Sequence, residues 1–71
     1  MPMINSIKML RKSRGLTQQE ISDYIGISIR NYREKESGYL QFSQEEIAKL
    51  ITLFSLNGDE VLFYFFNQIA V

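Results

Sequence analysis

Apolar residues recur at helical spacing along the chain, in short segments bounded by capping residues or glycines. In the first segment Met3, Ile7 and Leu10 share one side of a helix, which Gly15 is expected to stop after about Ser13. A later segment has apolar residues at positions i, i+3, i+4 and i+7, and this stripe consists of Ile47, Leu50, Ile51 and Phe54. The pattern predicts an all-α chain whose fourth helix lies in the core.

Two helical patterns in the first half of the chain have almost no connection between them. Thr17 begins a capping box with Glu20, and Gly26 ends that helix because glycine takes a positive φ without steric cost. Ser28 is a good cap for the next helix, in which Tyr32 is the inward residue. The spacing of small and apolar residues around the glycine suits two helices that cross steeply, which predicts a helix-turn-helix. Its helices are predicted at Gln18–Ile25 and Ile29–Ser37.

Two further helices have start signals of the same kind. Ser43 begins a capping box with Glu46, and Asn57 caps a last helix with Glu60 three residues on. Residues 39–42, before the fourth helix, form a short loop that is expected to tuck an aromatic side chain under the domain. The chain is thus predicted to contain five helices.

The end of the chain is more apolar than one helix face requires. Residues 61–66 are six consecutive apolar or aromatic residues, whereas a helix bounded by solvent uses an apolar arc of only about 100°. Val61, Leu62 and Phe65 are expected to complete the core. The residues left over are assigned to a contact with a second subunit, and they are Phe63, Tyr64, Phe66 and Ile69. The alternatives are a monomer with an apolar tail and a tail folded back over the core.

Length and composition limit the classes of function that the protein is expected to have. A chain of 71 residues allows one domain, residues 1–71, with 61–71 as the predicted dimer contact. Such a chain buries only about 60% of its unfolded surface, so a dimer would add stability. Because the chain has no cysteine and no histidine, we expect no disulfide, no metal or other cofactor and no enzyme activity. Without a signal sequence or an apolar run of membrane length, it is predicted to be cytoplasmic and to have no membrane partner.

Charge is distributed unevenly along the chain. The formal net charge is zero, which by itself argues against a nucleic-acid partner. Residues 1–42, however, contain seven basic and four acidic residues, whereas residues 43–71 contain one basic and four acidic residues. The first part therefore has a charge of +3 and the second part −3, so the first part is suited to face phosphate.

The helix-turn-helix segment resembles the Cro/repressor-type family of phage and bacterial regulators, also called the XRE family. The matching residues are those at 15–21 and 25–28, Tyr32, and those at 35–38, and a looser similarity runs from about Ile4 to Phe63. The resemblance implies a compact five-helix, lambda-repressor-like domain. It also implies a phage or prophage regulator that binds a double-stranded DNA operator, with a homodimer as the expected form.

The resemblance assigns roles to individual residues. In this family the third helix enters the major groove, and the base-facing positions here are Ile29, Arg30, Arg33 and Glu34. Contacts to the DNA backbone are expected from Thr17, Gln18, Ser28, Asn31 and Tyr39. A partly buried salt bridge is expected between Arg11 and Glu36. The alternative for each of these is an ordinary solvated residue, and Glu34 is also spaced to pair with Arg30 on one helix.

Some positions depart from the family pattern. Lys35 stands where many members have a large apolar residue, and its ammonium group is expected to reach water. Tyr32 replaces the usual Ile or Val and needs a partner for its hydroxyl. The loop at 39–42 has no basic residue to bind phosphate, which predicts a shallow salt dependence. The loop without basic residues, the zero net charge and the surplus of apolar residues at 63–66 support an alternative function, a protein-interaction module that binds another regulatory protein, as an antirepressor or antitoxin does.

Overall fold

The structure, a computed structural model, describes residues 6–66, and these form helices joined by short turns. The helices are α1 (Ser6–Ser13), α2 (Gln18–Ile25), α3 (Ile29–Glu36), α4 (Gln44–Phe54) and α5 (Gly58–Val61), and a π-helical turn (Leu62–Phe66) continues α5. The predicted all-α fold with five helices is confirmed, and these residues contain no strand. Met3, predicted in the first helix, lies outside the described residues.

The helix ends follow the predicted local signals. Thr17 Oγ1 accepts a hydrogen bond from Glu20 N at 3.0 Å, and Glu20 Oε1 accepts one from Thr17 N at 2.8 Å. The same reciprocal capping boxes begin α4, from Ser43 to Glu46, and α5, from Asn57 to Glu60. Gly26 ends α2 with φ 83° and ψ 32°, which leaves only two residues before α3.

A single core lies between the helices, and α2 is at its centre because it contacts both α3 and α4. The buried apolar residues of this core are Leu10, Ile21, Ile25, Tyr32, Leu50, Phe54 and Leu56. Phe42 packs under the domain from the loop after α3, with its ring centroid 6.0 Å from Tyr32 and 6.5 Å from Phe65. The aromatic side chain expected under the domain is therefore Phe42.

The last turns divide their apolar residues between an inner and an outer side. Val61 and Phe65 pack against the core as predicted, and Tyr64 joins them there. The prediction for Leu62 is wrong, since 60% of this residue is exposed. Successive helical residues point in different directions, so Leu62 turns outward when its neighbour Val61 faces the core. Phe63 is also largely exposed, at 55%.

Two of the residues assigned to a subunit contact cannot be placed in this way, because the side chain of Phe66 and all of Ile69 lie outside the described part of the chain.

In residues 6–66, no helix has the length and apolar character needed to cross a bilayer.

Candidate nucleic-acid interface

Helix α3 is fixed from below by a buried carboxylate at its last residue, Glu36. One carboxylate oxygen, Oε2, accepts hydrogen bonds from Arg11 Nε at 2.8 Å and from the Tyr32 hydroxyl at 2.7 Å. The other oxygen, Oε1, accepts one from Gln18 Nε2 at 2.8 Å. Because Arg11 belongs to α1 and Gln18 to α2, this one side chain joins three helices. The expected partners Arg11 and Glu36 are thus brought together, and the hydroxyl of Tyr32 has its partner.

The electrostatics of this cluster favour a charged Glu36 at neutral pH. Burial alone would raise the pKa of Glu36, but hydrogen bonds from Arg11, Tyr32 and Gln18 outweigh burial and hold that pKa below its ordinary value of 4.5. The bond to Glu36 raises the pKa of the Arg11 guanidinium. Burial, followed by the bond to Glu36, raises the pKa of the Tyr32 phenol, which therefore stays a neutral donor.

A second ion pair connects α3 to the start of α4. Lys35 Nζ lies 2.6 Å from Glu46 Oε1 and 2.8 Å from Oε2, and both residues are half-buried. Glu46 Oε1 also accepts from Ser43 N in the capping box. Burial would raise the pKa of Glu46, but the hydrogen bonds from Lys35 and Ser43 and the charge of Lys35 together outweigh burial, and the pKa is lowered. The ammonium of Lys35 therefore binds a carboxylate, where the sequence had predicted that it reaches water.

The residues predicted to face bases lie along α3, but they differ in exposure. Arg30 and Arg33 are exposed, whereas Ile29 and Glu34 are half-buried. Arg33 Nε donates a hydrogen bond to Gln18 Oε1 at 3.2 Å. The alternative pairing of Arg30 with Glu34 does not occur, since the ion pairs within residues 6–66 are Arg11–Glu36 and Lys35–Glu46.

The residues predicted to contact the DNA backbone lie at helix starts, on α3 and in the following loop. The hydroxyls of Thr17 and Ser28 accept cap bonds from Glu20 N and Asn31 N, so each still has its O–H to donate to a phosphate. Tyr39 is 78% exposed in the loop after α3. Asn31 itself is half-buried, with its side chain on α3.

Gln18 differs from the other backbone candidates because its amide is engaged at both ends. Its Nε2 donates to Glu36 and its Oε1 accepts from Arg33. An amide nitrogen has two N–H donors, so one donor remains for a phosphate. The structure thus connects a predicted backbone contact to a predicted base contact, which sequence reasoning had treated separately.

The Gln18–Glu36 hydrogen bond and the Lys35–Glu46 ion pair were not predicted from sequence, because their partners are far apart along the chain. Gln18 and Glu36 are separated by 18 residues, and Lys35 and Glu46 by 11. No helical spacing rule applies across such separations, as the rules concern residues three or four apart. One signal was present: Tyr32 and Glu36 are four apart on one helix, so the hydroxyl partner could have been found from sequence.

The two ion pairs also change which basic residues face solvent. Arg11 and Lys35 are neutralised by Glu36 and Glu46. The other basic residues of the first part of the chain are exposed, and they are Lys8, Lys12, Arg14, Arg30 and Arg33. Among them, the Arg14 guanidinium lies over the ring of Phe54, 5.8 Å from its centroid. In the first part of the chain, positive charge at the surface therefore lies on α1, on Arg14 just after it and on the outward side of α3, and Lys49 on α4 is exposed as well.

Comparison with known proteins agrees with this architecture. The sequence model of a family described as helix-turn-helix matches residues 7–61, which run from α1 to the end of α5. The chain matches no curated protein and no solved structure. The matching family is one of DNA-binding regulatory domains and is not a catalytic family. From the match and the geometry together, the chain belongs to the XRE-type helix-turn-helix family of DNA-binding regulators.

Proposed function

We propose that the protein is a sequence-specific transcriptional regulator, a Cro-like repressor of phage or prophage type, that reads an operator with α3 in the major groove. The main support for the proposal is the way in which α3 is held and exposed. Helix α3 presents Arg30 and Arg33 to solvent, while two ion pairs at Lys35 and Glu36 fix its other side to the domain. A helix held in this way can present its outward residues to base edges in a constant orientation.

The outward side chains of α3 have the chemistry needed to read bases. An arginine can donate two hydrogen bonds to O6 and N7 of guanine, and each good pair of this kind contributes about 1–3 kcal/mol of discrimination. Arg30 and Arg33 are assigned this role. Glu34 would accept from N4 of cytosine, and Ile29 would contact a thymine methyl group through the part of each side chain that is exposed.

Contacts to phosphate would fix the register of α3 without reading sequence. They are assigned to the start of α2 and to the surroundings of α3, that is to Thr17, Gln18, Ser28, Asn31 and Tyr39. The positive end of a helix dipole and its free N–H groups favour phosphate at the start of α2. The free O–H groups of the two caps add neutral donors to this surface.

A homodimer is the form in which two copies of α3 would read a two-fold symmetric operator. The two half-sites would lie about 34–36 Å apart, which is one turn of B-DNA. Support for a dimer comes from Leu62 and Phe63, two large apolar residues that are consecutive in sequence and exposed near the end of the described chain. Repression would follow from occupying a promoter, and its control from the concentration of the protein.

The test is selection of bound fragments from a random double-stranded DNA pool at low salt, followed by sequencing. The wild type should enrich a two-fold symmetric motif. Arg33→Ala should lose preference at one base pair in each half-site. Lys12→Ala, which removes an exposed charge from α1, should lower affinity for all sequences and keep the motif. Equal loss on all sequences for Arg33→Ala would contradict base reading by this residue.

A second candidate function is a module that binds another regulatory protein, such as an antirepressor or an antitoxin. It is favoured by the zero net charge, by the absence of basic residues at 39–42 and by the exposed pair Leu62 and Phe63. A pool that stays unenriched while the protein remains folded would favour this function. The next measurement would then be co-purification with a co-encoded protein.

A further inference from the structure

We propose that Gln18 is a positioning residue for Arg33, so that a residue of α2 determines how sharply α3 reads one base pair. The inference deepens the proposed function and rests on it. Its basis is the chain of hydrogen bonds from Glu36 through the Gln18 amide to Arg33 Nε. These hydrogen bonds connect the buried ion pair of Arg11 and Glu36 to Arg33, whose side chain is on the outward side of α3.

The chemistry of its two neighbours fixes the orientation of the Gln18 amide. An ionised Glu36 can only accept hydrogen bonds, so the NH₂ group of Gln18 must face it. The guanidinium of Arg33 can only donate, so the amide oxygen must face Arg33. Reversing the amide would place two acceptors together at one end and two donors together at the other. Glu36 therefore determines where the acceptor for Arg33 lies.

The bond also determines which part of Arg33 stays available. Arg33 Nε donates to Gln18, so the two terminal nitrogens of the guanidinium are left for another acceptor. Two terminal nitrogens match the two acceptors of a guanine, O6 and N7. A long exposed side chain otherwise samples many rotamers, and part of this freedom is removed before DNA arrives.

Arg30 provides the comparison within the same helix. It lies three residues before Arg33 and is also exposed, but none of the side-chain hydrogen bonds within residues 6–66 involves it. If preorganisation by Gln18 sharpens base reading, the effect must appear at the base pair read by Arg33 and not at the one read by Arg30. This difference gives the proposal its test.

The experiment compares Gln18→Met with the wild type in the same random-pool selection. Methionine has a side chain of similar length but can form neither of the two hydrogen bonds that the Gln18 amide makes. We expect the preference at the base pair that Arg33→Ala abolishes to fall about five- to tenfold, as for loss of one typical net hydrogen bond. Preferences at other positions should stay. In the Arg33→Ala background, Gln18→Met should have no further effect on that base pair.

The matched control is Gln19→Met, because within residues 6–66 the side chain of the neighbouring Gln19 donates hydrogen bonds to Ser22 and Asp23 on its own helix and to no residue of α3. It should keep every base preference. If Gln18 acted only as a phosphate contact, Gln18→Met would weaken binding to all sequences equally, and the proposal would be overturned. A wild-type pool with no enrichment would overturn the proposed function and this inference together.

A measurement on the free protein covers the case in which Gln18→Met folds poorly. By NMR, the Nε–H proton of Arg33 should exchange with solvent more slowly than that of Arg30 in the wild type, because only the former is hydrogen-bonded. Gln18→Ala should make the two exchange rates alike. Equal rates in the folded wild type would overturn the proposal without any DNA.

Discussion

At the scale of single residues, Glu36 has the largest role in placing α3. It receives donors from α1, from α2 and from its own helix, and no buried side-chain polar atom within residues 6–66 lacks a partner. A buried ion pair adds little stability beyond that of an apolar pair of the same size, but removal of one partner leaves a buried charge unpaired. Arg11, whose side chain is 9% exposed, would be that charge.

Glu36→Gln is therefore expected to lower the free energy of unfolding by about 3–5 kcal/mol, the usual effect of breaking a buried pair. Urea denaturation followed by circular dichroism measures the change. Glu34→Gln is the control, because Glu34 lies on the same helix, is only half-buried and forms no ion pair in the described part of the chain. It should change stability by less than about 0.5 kcal/mol. Equal effects of the two variants would contradict the role given to Glu36.

The lowered pKa values of Glu36 and Glu46 predict a loss of stability in acid. Each carboxyl group has a folded-state pKa below its ordinary value of 4.5, so below that pH the unfolded state binds more protons than the folded state. The stabilisation is complete above the ordinary value and is lost as the pH falls through the folded-state pKa. Unfolding free energies measured from about pH 6 to about pH 3 should decrease accordingly.

Glu46→Gln tests the source of this acid effect. It removes one of the two carboxyl groups, so the stability of the variant should depend less steeply on pH over the same range. Glu45→Gln is the control, because Glu45 is exposed on the same first turn of α4 and forms no ion pair in the residues that the structure describes. A slope unchanged by Glu46→Gln would show that the Lys35 pair does not contribute.

At the scale of helices, local signals determine where each helix begins and ends. Helices of eight residues, such as α2 and α3, are too short to be stable alone in water. Caps and the turn at Gly26 define their limits, and packing of α2 against α3 and α4 stabilises them. The angle between α2 and α3 therefore depends on a backbone conformation at Gly26 that residues with a side chain rarely adopt.

Gly26→Ala is expected to destabilise the domain by about 1–2 kcal/mol, since alanine at φ 83° is strained although nothing lies within 4 Å of its Cβ. Gly58→Ala is the matched control. Its Cβ would also meet nothing within 4 Å, but Gly58 lies in α5 without a positive φ, so the change should be neutral or stabilising by up to about 1 kcal/mol. Because neither new Cβ is crowded, the difference in thermal unfolding between the two variants measures the backbone strain at Gly26, and equal shifts would contradict this explanation.

The same distinction between local and distant interactions explains what could be predicted from sequence. The three capping boxes, the turn at Gly26 and the stripe of α4 depend on residues a few positions apart, so their spacing was sufficient. The bond from Gln18 to Glu36 and the pair Lys35–Glu46 depend on how helices pack, which no local pattern contains. The exposure of Leu62 was missed because a run of six apolar residues has no periodicity to say which residue faces the core.

At the scale of the whole molecule, the last turns have an outer side whose apolar side chains are not buried within one subunit. Leu62 and Phe63 are exposed, while Phe65 of the same turn completes the core through Phe42. A dimer through the outer side would bury these two side chains without disturbing the core of either subunit.

Phe63→Ser is expected to shift the protein toward monomer and to leave its helical content unchanged, because the side chain is 55% exposed in one subunit. Sedimentation at several protein concentrations measures the shift. The control is Met9→Ser on α1, where a large apolar residue is 70% exposed and no subunit contact is proposed. If both variants sediment as the wild type does, the proposed dimer contact is wrong.

Under the proposed function, the bond between Gln18 and Arg33 has a consequence for how this domain would acquire new operators. Arg30 is exposed and makes no side-chain hydrogen bond within the described residues, so an exchange at position 30 alters the surface and little else. An exchange at position 33 leaves the Gln18 oxygen without its donor and frees an amide that also contacts Glu36. New specificities should therefore arise more readily by single substitutions at position 30 than at position 33, where a paired substitution at position 18 would restore a partner for the amide.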